Sequence, residues 1–172
     1  MNFTVTEETQ DILNGLKQFI EKKVIPLEEK NEELLKNPRK YFTEDGRHAP
    51  EVEELRKIVR MESAKAGFYT MFGSKELGAG EFGPVMALLV QEFLNKNYPN
   101  NKLIHPIVIP SPFTNGLTPV LNGLSDHLKN KYISGIGTGE KTLCFGLSEP
   151  DAGSDVWNIK TKAVKKRVRV GN

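Results

Sequence analysis

The chain has 172 residues, of which 38% are apolar and 27% charged, with a formal net charge of +2. That length holds one ordinary domain, or one and part of a second, and so small a cationic excess argues against nucleic acid as a partner. The longest uninterrupted apolar run, residues 85–90, is far short of a membrane span.

No basic stretch followed by an apolar core opens the chain, so no secretory signal is read there. A single cysteine, Cys144, can make no internal disulfide, which fits a cytoplasmic setting. Its apolar neighbours suggest an inert, buried thiol.

Thr4, with Glu7 three residues on, reads as a capping box. It opens a predicted helix over residues 7–24, in which Ile12, Leu13, Leu16, Phe19, Ile20, Val24 and Leu27 make one apolar face. Pro26 is expected to bend or end that helix. Residues 28–50 are polar, with Asn37-Pro38 and Asp45-Gly46 as turns, and their charges read as a solvated face. Pro50 suits the start of a second helix over residues 51–66, with Val52, Leu55, Ile58 and Val59 inward and Gly67 past its end.

Glycine-rich residues 77–83 read as a plain connection, because no lysine follows where a phosphate loop needs one. Pro84 then opens a third helix over residues 84–95, apolar almost all round and therefore expected at the centre. Residues 97–112, rich in Asn and Pro, read as a long loop. A short helix near residues 115–122 precedes Ser125, which suits the cap of a helix over 126–136. Leu128, Tyr132, Ile133 and Ile136 keep its period.

Gly135-Ile136-Gly137-Thr138-Gly139-Glu140-Lys141-Thr142 is a near miss to a nucleotide phosphate loop. Glu140 puts a carboxylate where phosphate would sit, and the preceding residues read as helix where a strand is required. His48, His105 and His127 are scattered and show no metal-ligand spacing.

After Lys141 the pattern changes to short apolar runs, and strands are expected near residues 142–147 and 159–168. Between them lies Ser148-Glu149-Pro150-Asp151-Ala152-Gly153-Ser154-Asp155, a loop of small residues, hydroxyls and carboxylates. Small residues let backbone amides approach an anion such as a pyrophosphate closely.

That octapeptide, with Asn158-Ile159-Lys160-Thr161-Lys162-Ala163 after it, resembles the flavin-site signature of the acyl-CoA dehydrogenases. Residues 77–92, a Glu-Leu-Gly turn and then a helix ending in an acidic residue, resemble a second landmark of that family, and Gly139-Glu140-Lys141 fits the end of its lysine-rich helix. The resemblance is weak over the whole chain and strong over residues 139–163. It implies a mainly α fold: an N-terminal helical domain over residues 1–139 and the start of a middle β-domain over 140–172.

The resemblance further implies FAD as cofactor and an acyl-CoA thioester as substrate, for α,β-dehydrogenation. Phe145 and Leu147 would line the flavin ring with backbone groups, and Ser148 would give its hydroxyl to the pyrimidine end. Gly153 and Ser154 would lie at the pyrophosphate, with Ser154 also touching the acyl-CoA.

The family's further strands, its Trp-Ile-Thr motif and its catalytic glutamate have no counterpart within residues 1–172, and Trp157 lies outside such a motif. The chain is therefore expected to be an N-terminal portion or one piece of a split enzyme. It would bind FAD weakly or not at all alone, and would need a complementary chain or C-terminal region; a homo-oligomer is also open. The alternative reading is a non-catalytic helical module that completes a partner's β-domain. A phosphate binder built on residues 135–142 is the weakest of the three.

Overall fold

A computed structural model of the chain describes residues 5–105, 107–110 and 116–164. Helix α1 (Glu7–Phe19) begins at Thr6, whose side-chain oxygen accepts the Thr9 amide at 3.2 Å. The cap is therefore Thr6, in the extended backbone that a cap requires; Thr4 lies outside the described residues.

The helix does not stop at Pro26. A π-helical turn (Ile20–Val24) follows α1 and runs on into α2 (Ile25–Lys30), with Pro26 in the first turn of α2. The Ile25 amide reaches back to the Ile20 carbonyl, so the widened turn makes a fresh start just before the proline. A proline's missing donor costs least at such a start. Two short helices, α3 (Glu32–Lys36) and α4 (Pro38–Tyr41), lead through a turn at Asp45-Gly46 to α5 (Pro50–Lys65). Gly67, at φ +84°, lies just past the end of α5, as expected.

The main core joins the faces of α1, the π turn, α5 and α6 (Pro84–Asn97), filled by Leu16, Ile20, Val24, Val59, Val90 and Leu94. Its most buried stretch is irregular: Leu103, Ile104, Ile107, Val108 and Ile109 are almost fully enclosed. The Asn and Pro content correctly marks this segment as a loop but conceals its burial. A buried irregular backbone needs partners for its polar groups. Here the Ser63 hydroxyl donates to the Val108 carbonyl, and Glu28 accepts from the Leu103 amide and the Asn101 side chain. Glu28 thus departs from the solvated face expected of its neighbours.

Two further expectations are corrected. Ile58 on α5 is exposed and Arg60 turns inward in its place. Helix α6 is not central: Val85 and Leu88 are 69% and 71% exposed, since only the face carrying Met86, Ala87, Val90, Phe93 and Leu94 meets the core. A smaller cluster of Leu117, Leu121 and Ile136 joins a 3-10 turn (Pro119–Gly123) to α7 (Asp126–Gly137). Ser125 stands at the cap of α7 with extended backbone but makes no side-chain capping bond.

The molecule is mainly helical, and no strand forms among the described residues. The expected strand at residues 142–147 forms no strand and no ladder, and neither does the described part of the second, residues 159–164. Residues 165–168 lie outside the described residues. The physical reason is that a strand is defined by its neighbour's hydrogen bonds, and an isolated strand or hairpin is marginal in water.

Candidate functional site

Gly139 fixes how the chain leaves the helices. It takes φ +75°, and a Cβ there would meet the Arg60 carbonyl carbon at 2.8 Å and its oxygen at 2.9 Å. Both the left-handed backbone and the close approach to α5 call for glycine. Its carbonyl accepts from the buried Arg60 Nε at 3.2 Å, while Arg60 also lies 3.8 Å from Glu53. Burial lowers the Arg60 pKa, and nearby Tyr69 and Glu53 oppose that shift.

Beyond it, the Lys141 amide donates to the Gly135 carbonyl at 2.8 Å, and its ammonium stands 5.4 Å from the centre of the Tyr132 ring. The phosphate-loop look-alike is therefore a helix end, with its lysine turned onto an aromatic face. Residues 142–144 form one wall of a cleft of about 630 Å³, opposite Leu121, Leu124, Leu128 and Tyr132. Cys144 is exposed, contrary to the buried thiol expected from its neighbours, because no second strand covers it.

The sequence-predicted site follows. Phe145 is 53% exposed, and Leu147, Ser148, Gly153 and Ser154 are exposed as well. Glu149 and Ala152 close a tight turn through reciprocal backbone bonds of 3.0 and 3.1 Å, and Ala152 is buried beneath it. The Glu149 carboxylate then accepts the Lys160 amide at 2.8 Å and the Thr161 amide at 3.0 Å. Thr161 foremost, with the Lys160 amide, holds this carboxyl below its ordinary pKa. Asp151 pairs with Lys160 Nζ at 2.7 Å, and its carbonyl accepts from Asn158 at 3.2 Å.

Ser148, Gly153 and Ser154 are thus carried on one loop, closed by Glu149. Among the described residues, the Ser148 and Ser154 hydroxyls and the Gly153 and Ser154 amides make no protein hydrogen bond. Free hydroxyls and amides on a loop of small residues fit the phosphate and pyrimidine ends of a dinucleotide. Phe145 and Leu147 are 53% and 38% exposed, so among the described residues they remain partly uncovered. Sequence reasoning missed Glu149's bonding role. The signal was a glutamate eleven residues before a segment expected to need strand partners.

Against curated proteins, the chain is 28% identical over 169 residues to the short-chain-specific acyl-CoA dehydrogenase of Clostridium acetobutylicum, covering 95% of this chain and 38% of that protein. It is 24% identical over 169 residues to the glutaryl-CoA dehydrogenase of Desulfococcus multivorans, covering 96% and 38%. It is 33% identical over 103 residues to the caffeyl-CoA reductase-Etf complex subunit CarC of Acetobacterium woodii, covering 59% and 26%. The chain therefore spans well under half the length of these relatives. No family model matches it. No solved structure matches it either.

Proposed function

The chain belongs to the acyl-CoA dehydrogenase family, and from that premise we propose that it supplies part of a flavin and acyl-CoA site for α,β-dehydrogenation of a thioester. The observation that carries this reading is the loop itself, in which Ser148, Gly153 and Ser154 keep donors unpaired among the described residues on a closed turn. When bound, FAD would supply the hydride acceptor.

The chain's own residues orient and stabilise. Ser148 donates to the pyrimidine end of the flavin, where a preorganised donor favours the negative charge of the reduced state. The Gly153 and Ser154 amides face the pyrophosphate, and the Ser154 hydroxyl also reaches the acyl-CoA. Phe145 and Leu147 present backbone groups to the ring. We also propose the division at Gly139: a helical domain before it and a β-domain segment after it.

No residue of this chain is assigned the base that removes the α-proton. Such a base must stand within hydrogen-bond reach of that carbon on the face opposite the flavin. Of the carboxylates on the loop, Glu149 and Asp151 are already held by the Lys160 and Thr161 segment. The base is proposed to come from outside residues 1–172.

A second reading, a module that completes a partner's β-domain, is favoured by one observation. Phe145, Leu147, Val156, Trp157 and Val164 are exposed on a segment that forms no ladder among the described residues. That one relative is named as a subunit of an Etf complex gives this reading some company.

A flavin absorbance spectrum separates the two. Protein purified with a complementary fragment should be yellow, and Ser148→Ala should weaken FAD retention or its reduction about tenfold, as expected for a hydrogen bond to a charged acceptor. Equal retention and reduction in wild type and variant would remove the flavin assignment.

A further inference from the structure

We propose that Glu149 is a positioning residue, whose carboxylate closes residues 148–161 into a preformed loop that sets the Ser148, Gly153 and Ser154 donors before any cofactor binds. What the loop is for rests on the flavin-site reading above; the closure does not.

The geometry carries the argument. Each carboxylate oxygen takes one amide: Oε2 accepts from Lys160 at 2.8 Å and Oε1 from Thr161 at 3.0 Å. The backbone of the same residue exchanges two bonds with Ala152, at 3.0 and 3.1 Å. Glu149 is therefore pinned at both ends, and it ties the turn to a segment eleven and twelve residues further along. Ala152, 2% exposed, anchors the turn from below.

The neighbouring charges do not compete for this role. Asp151 and Lys160 Nζ pair with each other at 2.7 Å, and Asn158 Nδ2 donates to the Asp151 carbonyl at 3.2 Å. In a sheet, the consecutive Lys160 and Thr161 amides would point to opposite sides, toward two different neighbouring strands; here one carboxylate takes both. Only an ionised carboxylate offers two acceptor oxygens without a donor, so glutamine at this position would turn an amide against an amide. A loop ordered in advance loses less conformational freedom when it binds a ligand.

The test is amide-resolved NMR on the full 172-residue chain, first without cofactor. In the wild type the Lys160 and Thr161 amide resonances should move together on acidification, with a midpoint below the ordinary glutamate range. Glu149→Gln should abolish that movement and speed exchange at both amides roughly threefold or more, with helical circular dichroism unchanged. Wild-type amides that do not titrate overturn the closure without recourse to any variant, and unchanged exchange in E149Q overturns it too. FAD is then added to both proteins, each in the presence of the complementary fragment. Shifts in residues 145–154 that are larger in the wild type support positioning, and equal shifts in the two overturn it. Titrating amides with no FAD shift in either protein support the closure while removing the flavin reading.

Discussion

The helices before Gly139 and the segment after it satisfy their backbones in opposite ways. In α1, α5, α6 and α7 the amides beyond the first turn find carbonyls a turn away, and apolar faces then meet to bury Leu16, Ile20, Val90 and Leu94. From residue 142 to 164 the backbone bonds to itself only in short turns, at Glu149–Ala152 and over Asp155–Ile159, and among the described residues there only Ala152 is buried. Side chains tie these turns together: Glu149 across to Lys160 and Thr161, Asn158 and Lys160 back to Asp151. Helical structure is self-sufficient in hydrogen bonds, whereas extended structure depends on what lies beside it.

The largest test of this contrast is Leu16→Ala. Its side chain is fully enclosed in the helical core, so truncation should cost about 2–5 kcal/mol through lost burial and a residual cavity. Urea unfolding followed by circular dichroism measures it; a change below 1 kcal/mol, on the order of a surface substitution, would mean that the core is looser than its burial implies.

Gly139→Ala tests the junction between the two regions. The φ of +75° and the 2.8 Å approach to Arg60 combine backbone strain with overlap, for an expected loss of about 2–3 kcal/mol. The same unfolding assay reads it, and wild-type stability in the variant would show that Arg60 and α5 yield freely.

Trp157→Ala should do almost nothing to the isolated chain. The indole is 98% exposed, and surface substitutions of this kind stay within about 0.5 kcal/mol. A larger loss would reveal a hidden contact and blunt the contrast.

The smallest expected effect is a local one at low pH. Glu149's pKa is lowered in the folded chain, chiefly by Thr161 and then by the Lys160 amide. A depressed carboxyl pKa stabilises above the unfolded value, and that contribution is lost as pH falls through the folded one. Acidification through that window should free the loop while the helical signal persists, as followed by circular dichroism alongside amide exchange. Simultaneous loss of both would mean that the loop and the helices are one cooperative unit.

The sequence by itself determined the parts whose causes are local. Apolar spacing placed α1, α5, α6 and α7 within a few residues, Gly67 marked a helix end, and the octapeptide from Ser148 to Asp155 marked the family. Only the tertiary structure decided where partners lay across the chain. It enclosed Ile104 and Val108 in an Asn- and Pro-rich loop, left Val85 and Leu88 of α6 exposed, exposed Cys144, and joined Glu149 to Lys160 and Thr161. Periodicity reports which face of an element is apolar; whether that face, or an extended strand's edge, finds a neighbour depends on contacts that a one-dimensional pattern does not contain.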